Sequence, residues 1–202
     1  MLIRLPSGSL VVFEGLDKAG KSTQVDALSD LAWDSPIPLS THMPSGFTRF
    51  TKSVYALTEK ARVTEGAQIK SPLALQLLHL ACHAENQKAI AHAREQRGVF
   101  LDRWWWSTVA YGWYGAGLRD QVAEDVFFGM IDAVWGRVEP DLIFLFLEPF
   151  ATDKLNNDDV TAGYLHLRSS SPDSTVIVPA ADVSETTDWL LAQMVSRGLV
   201  ST

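Results

Sequence analysis

An α/β fold, a doubly wound five-stranded parallel sheet with helices on both faces, is predicted by three observations. Short apolar runs alternate with longer helix-like ones, the order expected of parallel βαβ units. Several of the short runs are apolar throughout, such as "LIFLFL" from Leu142 to Leu147, which suits strands covered on both faces. Between the first strand-like run and the first helix-like run lies "GLDKAGKST", Gly15 to Thr23, a glycine-bearing loop that opens a helix.

Each element has a local reason. Leu10–Phe13 is an apolar strand candidate, and Lys21–Trp33 continues from the loop as a helix. Ile37–Ser40 is a second strand candidate and Phe47–Ala61 a second helix. Thr58 to Ser71 is polar and expected to be mobile. Pro72–Gln96 is a long helix, with Ser71 as N-cap, Pro72 at its first position and Gly98 in the C-cap role. Val99–Asp102 is the third strand, followed by helices at Thr108–Gly115 and Gln121–Gly136. Leu142–Leu147 and Thr175–Val178 complete the strands, and Ser184–Arg197 is the last helix. Glu148 to Gly163, rich in turn formers, follows a strand end where ligand loops sit in open α/β sheets, so a short lid is expected at 148–163 of a single domain spanning 1–202.

Bulk properties narrow the function. Apolar residues make up 47% and charged residues 20% of 202, as in a soluble globular chain. A net charge of −7 argues against a general nucleic-acid or anionic-membrane surface. Cys82 is the one cysteine, so no internal disulfide is possible and a reducing, cytoplasmic setting is expected. The N-terminal "MLIRLPSGSL" is too short and interrupted for a signal peptide or membrane span.

The loop carries chemistry. "GLDKAGKS" fits G-x-x-x-x-G-K-S, the phosphate-binding loop, in its required strand–loop–helix setting. Its backbone N–H groups, from Gly15 through Lys18, Ala19, Gly20, Lys21, Ser22 and Thr23, can wrap nucleotide phosphates at the positive end of the following helix. Lys21 would reach the β- and γ-phosphates of a nucleotide and Ser22 would ligate Mg²⁺. Asp102 and Arg103 close a strand at the same crevice, and the Arg fork suits an acceptor phosphate. Trp104, Trp105 and Trp106 cannot all face one way, so one or two are expected to line a pocket or interface.

"FEGLDKAGKSTQ", "LDRWWWSTVAYG" and "EPDLIFLFLEP" resemble, in order and spacing, three blocks of the thymidylate kinase family, and the likeness extends over most of residues 9 to 197. The resemblance implies a P-loop nucleoside monophosphate kinase that transfers the γ-phosphoryl group of ATP to a deoxynucleoside monophosphate with Mg²⁺, commonly as a homodimer. It implies that Asp17 holds the sugar 3′-hydroxyl or the acceptor-phosphate network, that Arg103 binds the acceptor phosphate, and that Asp102 organises Mg²⁺ and its waters. Ser107 and Tyr111 fall in the acceptor motif, and Ala180 and Ala181 in the loop that resembles the adenine contact. Lys18 stands where one type of member carries a catalytic Arg, while the lid contains no Arg. The aromatic segment Trp104 to Tyr114 is a candidate dimer interface.

Departures from the family pattern gather on the acceptor side. His42, beside Pro44, replaces a usual Arg; His79 and His83 replace a base-stacking Phe and a base-binding Arg; Gly112 replaces a base-reading Gln or Thr. His79 and His83 share one helical face, but no further ligand set makes them a zinc site. An altered pocket is therefore expected, with dTMP a poor or non-preferred acceptor and with acceptor KM improving towards pH 6 as the histidines charge. A non-catalytic nucleotide-binding protein and a nucleotide-controlled switch remain as rivals.

Overall fold

The computed structural model describes residues 3–64 and 68–201. Five parallel strands form one sheet in the order β2-β3-β1-β4-β5, namely Leu39–His42, Val99–Asp102, Leu10–Gly15, Leu142–Phe146 and Thr175–Ile177. Central β1 pairs on one side with β3, Leu10 opposite Val99, and on the other with β4, Val11 opposite Leu142. Its side chains alternate between two cores, as a strand's period of two requires. Leu10 and Val12 join one core, while Val11 and Phe13 join the other.

Helices cover both faces. Helix α1 (Lys21–Ser29) and α7 (Val183–Ser196) carry Val25, Leu28, Leu190 and Met194 onto the Phe13 side. Helix α3 (Pro72–Gln96), the short α4 (Trp105–Thr108), α5 (Glu124–Trp135) and α6 (Asp158–Ser170) supply Ile90, Trp106, Ile131 and Tyr164 to the Val12 side. Helix α2 spans Arg49–Val63 and opens on a reciprocal Thr48–Thr51 capping box. Ser71 caps α3 by accepting from the Ala74 amide, and Pro72 sits in its first turn.

Several boundaries move, each for a physical reason. Helix α1 stops at Ser29 rather than Trp33 because Trp33 forms a parallel bridge with Ile3 and donates its indole N–H to Leu28 O at 2.6 Å. Strand β2 begins at Leu39, since Pro38 has no N–H for the ladder, and Ile37 is exposed. The predicted helix at Thr108–Gly115 is π-helical over Val109–Gly115. The expected mobile stretch from Thr58 is helical through Val63; its residues 65–67 lie outside the described residues.

The sequence reading missed α6. Its buried Val160, Tyr164 and Leu167 fall on one face, and the Asn157 side chain caps it by accepting from the Val160 amide. Gly163, read as a turn former, is instead a close-contact point: a Cβ there would lie 2.6 Å from Tyr114 Cδ2 and 3.2 Å from Ala110 Cα. The irregular lid therefore ends at residue 157, not 163.

Candidate active site

Parallel strands bring Gly15, His42 and Asp102 to one edge of the sheet, where the loop from β1 turns into α1. Gly15 can only be glycine, because its φ is +128° and a Cβ would fall 2.0 Å from Phe146 O. Lys21 opens α1 and is 4% exposed, its Nζ donating to Leu16 O at 2.5 Å. Burial, reinforced by the Arg103 charge, pushes its pKa down to about 7 against the pull of Asp102, Asp17 and Glu14. Ser22 Oγ donates to Asp102 Oδ2 at 2.5 Å, and Asp102 Oδ1 is buried without a hydrogen-bond partner. A hydroxyl beside a carboxylate with an unspent oxygen fits a hydrated Mg²⁺.

Beside this loop opens a cavity of about 540 Å³. Its walls include Asp17, His42, Pro44, His79, His83, Arg103, Ser107 and Tyr111, while Gly112, also singled out in the sequence, is buried and does not line it. Arg103, at φ 71°, is the centre of its polar wall. It pairs with Asp17 through Nη2 and donates from Nη1 to Gly15 O at 3.2 Å and to Ser107 Oγ at 2.8 Å. Its guanidinium lies 5.7 Å from the Tyr111 ring centroid.

Glu14 anchors this group from behind, a role the sequence reading did not assign. The carboxylate is fully buried and accepts from Trp104 N at 2.7 Å, Ser107 N at 3.1 Å, Ser107 Oγ at 2.6 Å and Tyr164 OH at 3.3 Å. Burial raises its pKa, while the Arg103 charge and these hydrogen bonds oppose the rise. The available signal was a lone acid at the end of the apolar run "LVVFEG".

The segment expected to be a lid meets the Gly15–Gly20 loop through Asn156, also missed. Its Oδ1 accepts from Asp17 N at 3.0 Å and Tyr111 OH at 2.9 Å, and its Nδ2 donates to Asp17 O at 2.8 Å. Lys18 turns to this lid, with Nζ donating to Thr152 O at 2.7 Å and lying 3.5 Å from Asp153 Oδ2. Lys18, expected as the catalytic cation of the loop, is thus engaged with this segment and is not among the residues lining the cavity. Ala180 and Ala181 are exposed after β5 and lie outside the cavity wall. Their loop is tied to α1 by Gln24, which donates to Val183 O at 3.0 Å and accepts from Thr187 Oγ1 at 2.7 Å. Ala19 is half-buried against both cores, whereas Ser22 and Thr23 are exposed; Gly20, at φ 91°, leads into α1.

The histidine expectation needs correction. His83 is 2% exposed, and its Nδ1 accepts from Trp135 Nε1 at 3.3 Å, which leaves Nε2–H to donate to Thr108 Oγ1 at 3.4 Å. Both nitrogens are spent inside the protein, so His83 cannot donate to a base as expected. Burial, with His79 and His42 nearby, pushes its pKa down to about 3. Burial and the Arg103 charge push His79 down to about 4. Burial also lowers His42, which the Asp102 carboxylate only partly offsets; its Nδ1 lies 2.9 Å from Ser45 Oγ. His79 and His83 stay neutral near pH 6, because a dry pocket beside a fixed guanidinium disfavours further positive charge. Among the described residues no group of three or more His, Cys, Asp and Glu side chains is arranged to hold a metal ion. In the aromatic segment Trp104, Trp106 and Trp113 are buried, Trp105, Tyr111 and Tyr114 are half-buried, and Trp104 alone of the consecutive tryptophans also lines the acceptor cavity.

A family model described as thymidylate kinase matches residues 13–156. The thymidylate kinase of Parasynechococcus marenigrum (strain WH8102) is 33% identical over 129 residues, 59% of this chain and 59% of that protein. That of Desulforudis audaxviator (strain MP104C) is 29% identical over 194 residues, 86% of this chain and 84% of that protein. The chain thus spans 59% of the length of the former relative. A solved structure of thymidylate kinase from Ehrlichia chaffeensis superposes with a TM-score of 0.73 at 23% identity, covering 94% of this chain and 99% of that one, a likeness of fold.

Proposed function

This chain belongs to the thymidylate kinase family, and on that premise we propose that it transfers the γ-phosphoryl group of ATP to dTMP. The observation that carries the reading is the Arg103–Asp17 pair, which joins the phosphate-binding loop to the wall of the acceptor cavity. An acceptor phosphate entering there meets the guanidinium fork, which exchanges the Asp17 carboxylate for phosphate oxygens. Ser107 and Gly15 O keep the fork aimed during that exchange. Asp17, released, accepts a hydrogen bond from the sugar 3′-hydroxyl, and Tyr111 holds the Asp17 backbone by accepting from its N–H at 2.7 Å.

On the donor side, Lys21 leaves Leu16 O for the β- and γ-phosphates, whose charge favours its protonated form. Ser22 and Asp102 are the residues that would hold Mg²⁺, which supplies charge neutralisation on the phosphates when bound. Gly15 and Lys18 to Thr23 cradle the phosphates, and Ala180 and Ala181 flank the adenine. Lys18, on the lid side, follows the moving charge only when it releases Asp153.

No helix among the described residues is long and apolar enough to cross a membrane; the proposed enzyme is cytoplasmic and acts on a small nucleotide, a reading supported by the family and by the net charge of −7. Phe50 and Leu57, two turns apart on α2 and 52% and 60% exposed, offer an apolar face for a homodimer. A coupled ADP-release assay over deoxynucleoside monophosphates, with Lys21→Ala as control, tests the function. Turnover with dTMP that Lys21→Ala abolishes is the expected result. ATP binding without turnover on any monophosphate would instead favour a non-catalytic nucleotide-binding protein.

A further inference from the structure

Gln76 has no part in the mechanism above. It lies on α3 one turn before His79 and two before His83, on the same helical face. The residue is 4% exposed and lines the acceptor cavity, yet its Oε1 is buried with no hydrogen-bond partner. A buried acceptor left unmet in a native fold asks for an explanation, and a ligand group is one.

The π-helical turn at Val109–Gly115 makes room for it. A Cβ on Gly112 would stand 2.5 Å from Gln76 Cδ and 2.6 Å from its Nε2. Any other residue at 112 would therefore displace the carboxamide, and the missing side chain lets it lie against the π-helical turn. The neighbouring polar groups are already committed: Thr108 and Trp135 to His83, and Arg103 to Asp17, Gly15 and Ser107. A carboxamide has one acceptor and one two-proton donor side by side. That pair is complementary to an imide edge, a ring N–H next to a ring carbonyl.

We propose that Gln76, its carboxamide seated against the turn at Gly112, reads the base of the acceptor nucleotide, accepting from the pyrimidine N3–H through Oε1 and donating to the adjacent O4 through Nε2. The ligand class is a deoxynucleoside monophosphate with an imide-type pyrimidine, thymine or uracil. The assignment rests on the acceptor-cavity reading given under Proposed function.

The test is calorimetric binding of dTMP and its N3-methyl analogue, alongside turnover of both. Wild-type protein should bind dTMP about tenfold or more tightly than the methylated analogue, the loss expected when a buried hydrogen bond cannot form. In Gln76→Ala and in the volume-keeping Gln76→Met the difference should shrink to within about threefold. Gln76→Ala combined with Gly112→Gln, which supplies a carboxamide from the facing π-helical turn, should restore part of it. Gln76→Met should also melt no lower than wild type without nucleotide, since it removes an unmet acceptor. A folded Gln76→Met that keeps the full tenfold preference would overturn the assignment. If dTMP binds in a Gln76-dependent way but is not phosphorylated, base reading stands and the kinase reading falls. If dTMP is phosphorylated with no dependence on Gln76, the reverse holds. A wild-type protein that does not bind dTMP overturns both.

Discussion

Replacing Asn156 by Ala should loosen the lid by an amount that can be worked out from its contacts. The side chain makes three hydrogen bonds: Oδ1 accepts from Asp17 N and Tyr111 OH, and Nδ2 donates to Asp17 O. Each is worth about 0.5–1.5 kcal/mol net. Asp17 N keeps a partner in the variant, because it also donates to Tyr111 OH at 2.7 Å, so its loss counts little. The remaining two give about 2 kcal/mol, or roughly a thirtyfold shift towards the open lid. Phe150 is the natural reporter, since its amide donates to Lys18 O at 2.9 Å across the same contact and exchanges only when the lid lifts. Hydrogen exchange at Phe150 should speed up about thirtyfold in Asn156→Ala, while amides of central β1 stay unchanged. Tyr111→Phe combined with Asn156→Ala should cost less than the sum of the two, because they share a hydrogen bond. If Phe150 exchanges within threefold of wild type, the lid is held by Lys18 and Asp153 instead, and the Asn156 latch is refuted.

Four further outcomes follow from the structure. Lys21 is partly neutral near pH 7 in the free protein, so nucleotide binding at pH 8 should take up a proton, seen as a dependence of calorimetric heat on buffer ionisation. The unfolded chain holds that proton up to 10.5 while the native one releases it near 7, so the Lys21 contribution makes nucleotide-free stability rise with pH across that window, and Lys21→Met should flatten the slope. With His79 and His83 neutral above about 4 and 3, the KM for dTMP at saturating ATP should not improve between pH 8 and pH 6; an improvement on acidification would mean that a histidine charges in the pocket. Gly163→Ala should lower stability by about 1–3 kcal/mol, as overpacking against Tyr114 and Ala110 forces α6 outward, and an unchanged melting temperature would show that the contact yields freely.

What could be read from the sequence was what is local. The spacing of Gly15, Gly20, Lys21 and Ser22 is itself a backbone geometry, so strand, loop and helix followed from it. The apolar strands announced a sheet covered on both faces, and Ser71 and Pro72 marked the start of the long helix because capping depends on adjacent residues. Substitutions at His42, His79 and His83 located the acceptor wall, since α3 and β2 project them into one cavity. Other features depended on contacts between segments far apart in the chain. Helix α6 escaped notice because Gly163 reads locally as a turn former, whereas in the fold its missing side chain lets the helix pack closely on Ala110 and Tyr114. The histidines' neutrality is a property of burial beside Arg103, which no spacing encodes. Glu14 meets Ser107, Asn156 meets Asp17 and Gln76 meets Gly112 only once the sheet has closed. Hydrogen bonds and desolvation act over a few ångströms in space regardless of distance in sequence, so the motif could place the phosphates, while the tertiary fold alone decided which side chains were left free to meet the acceptor.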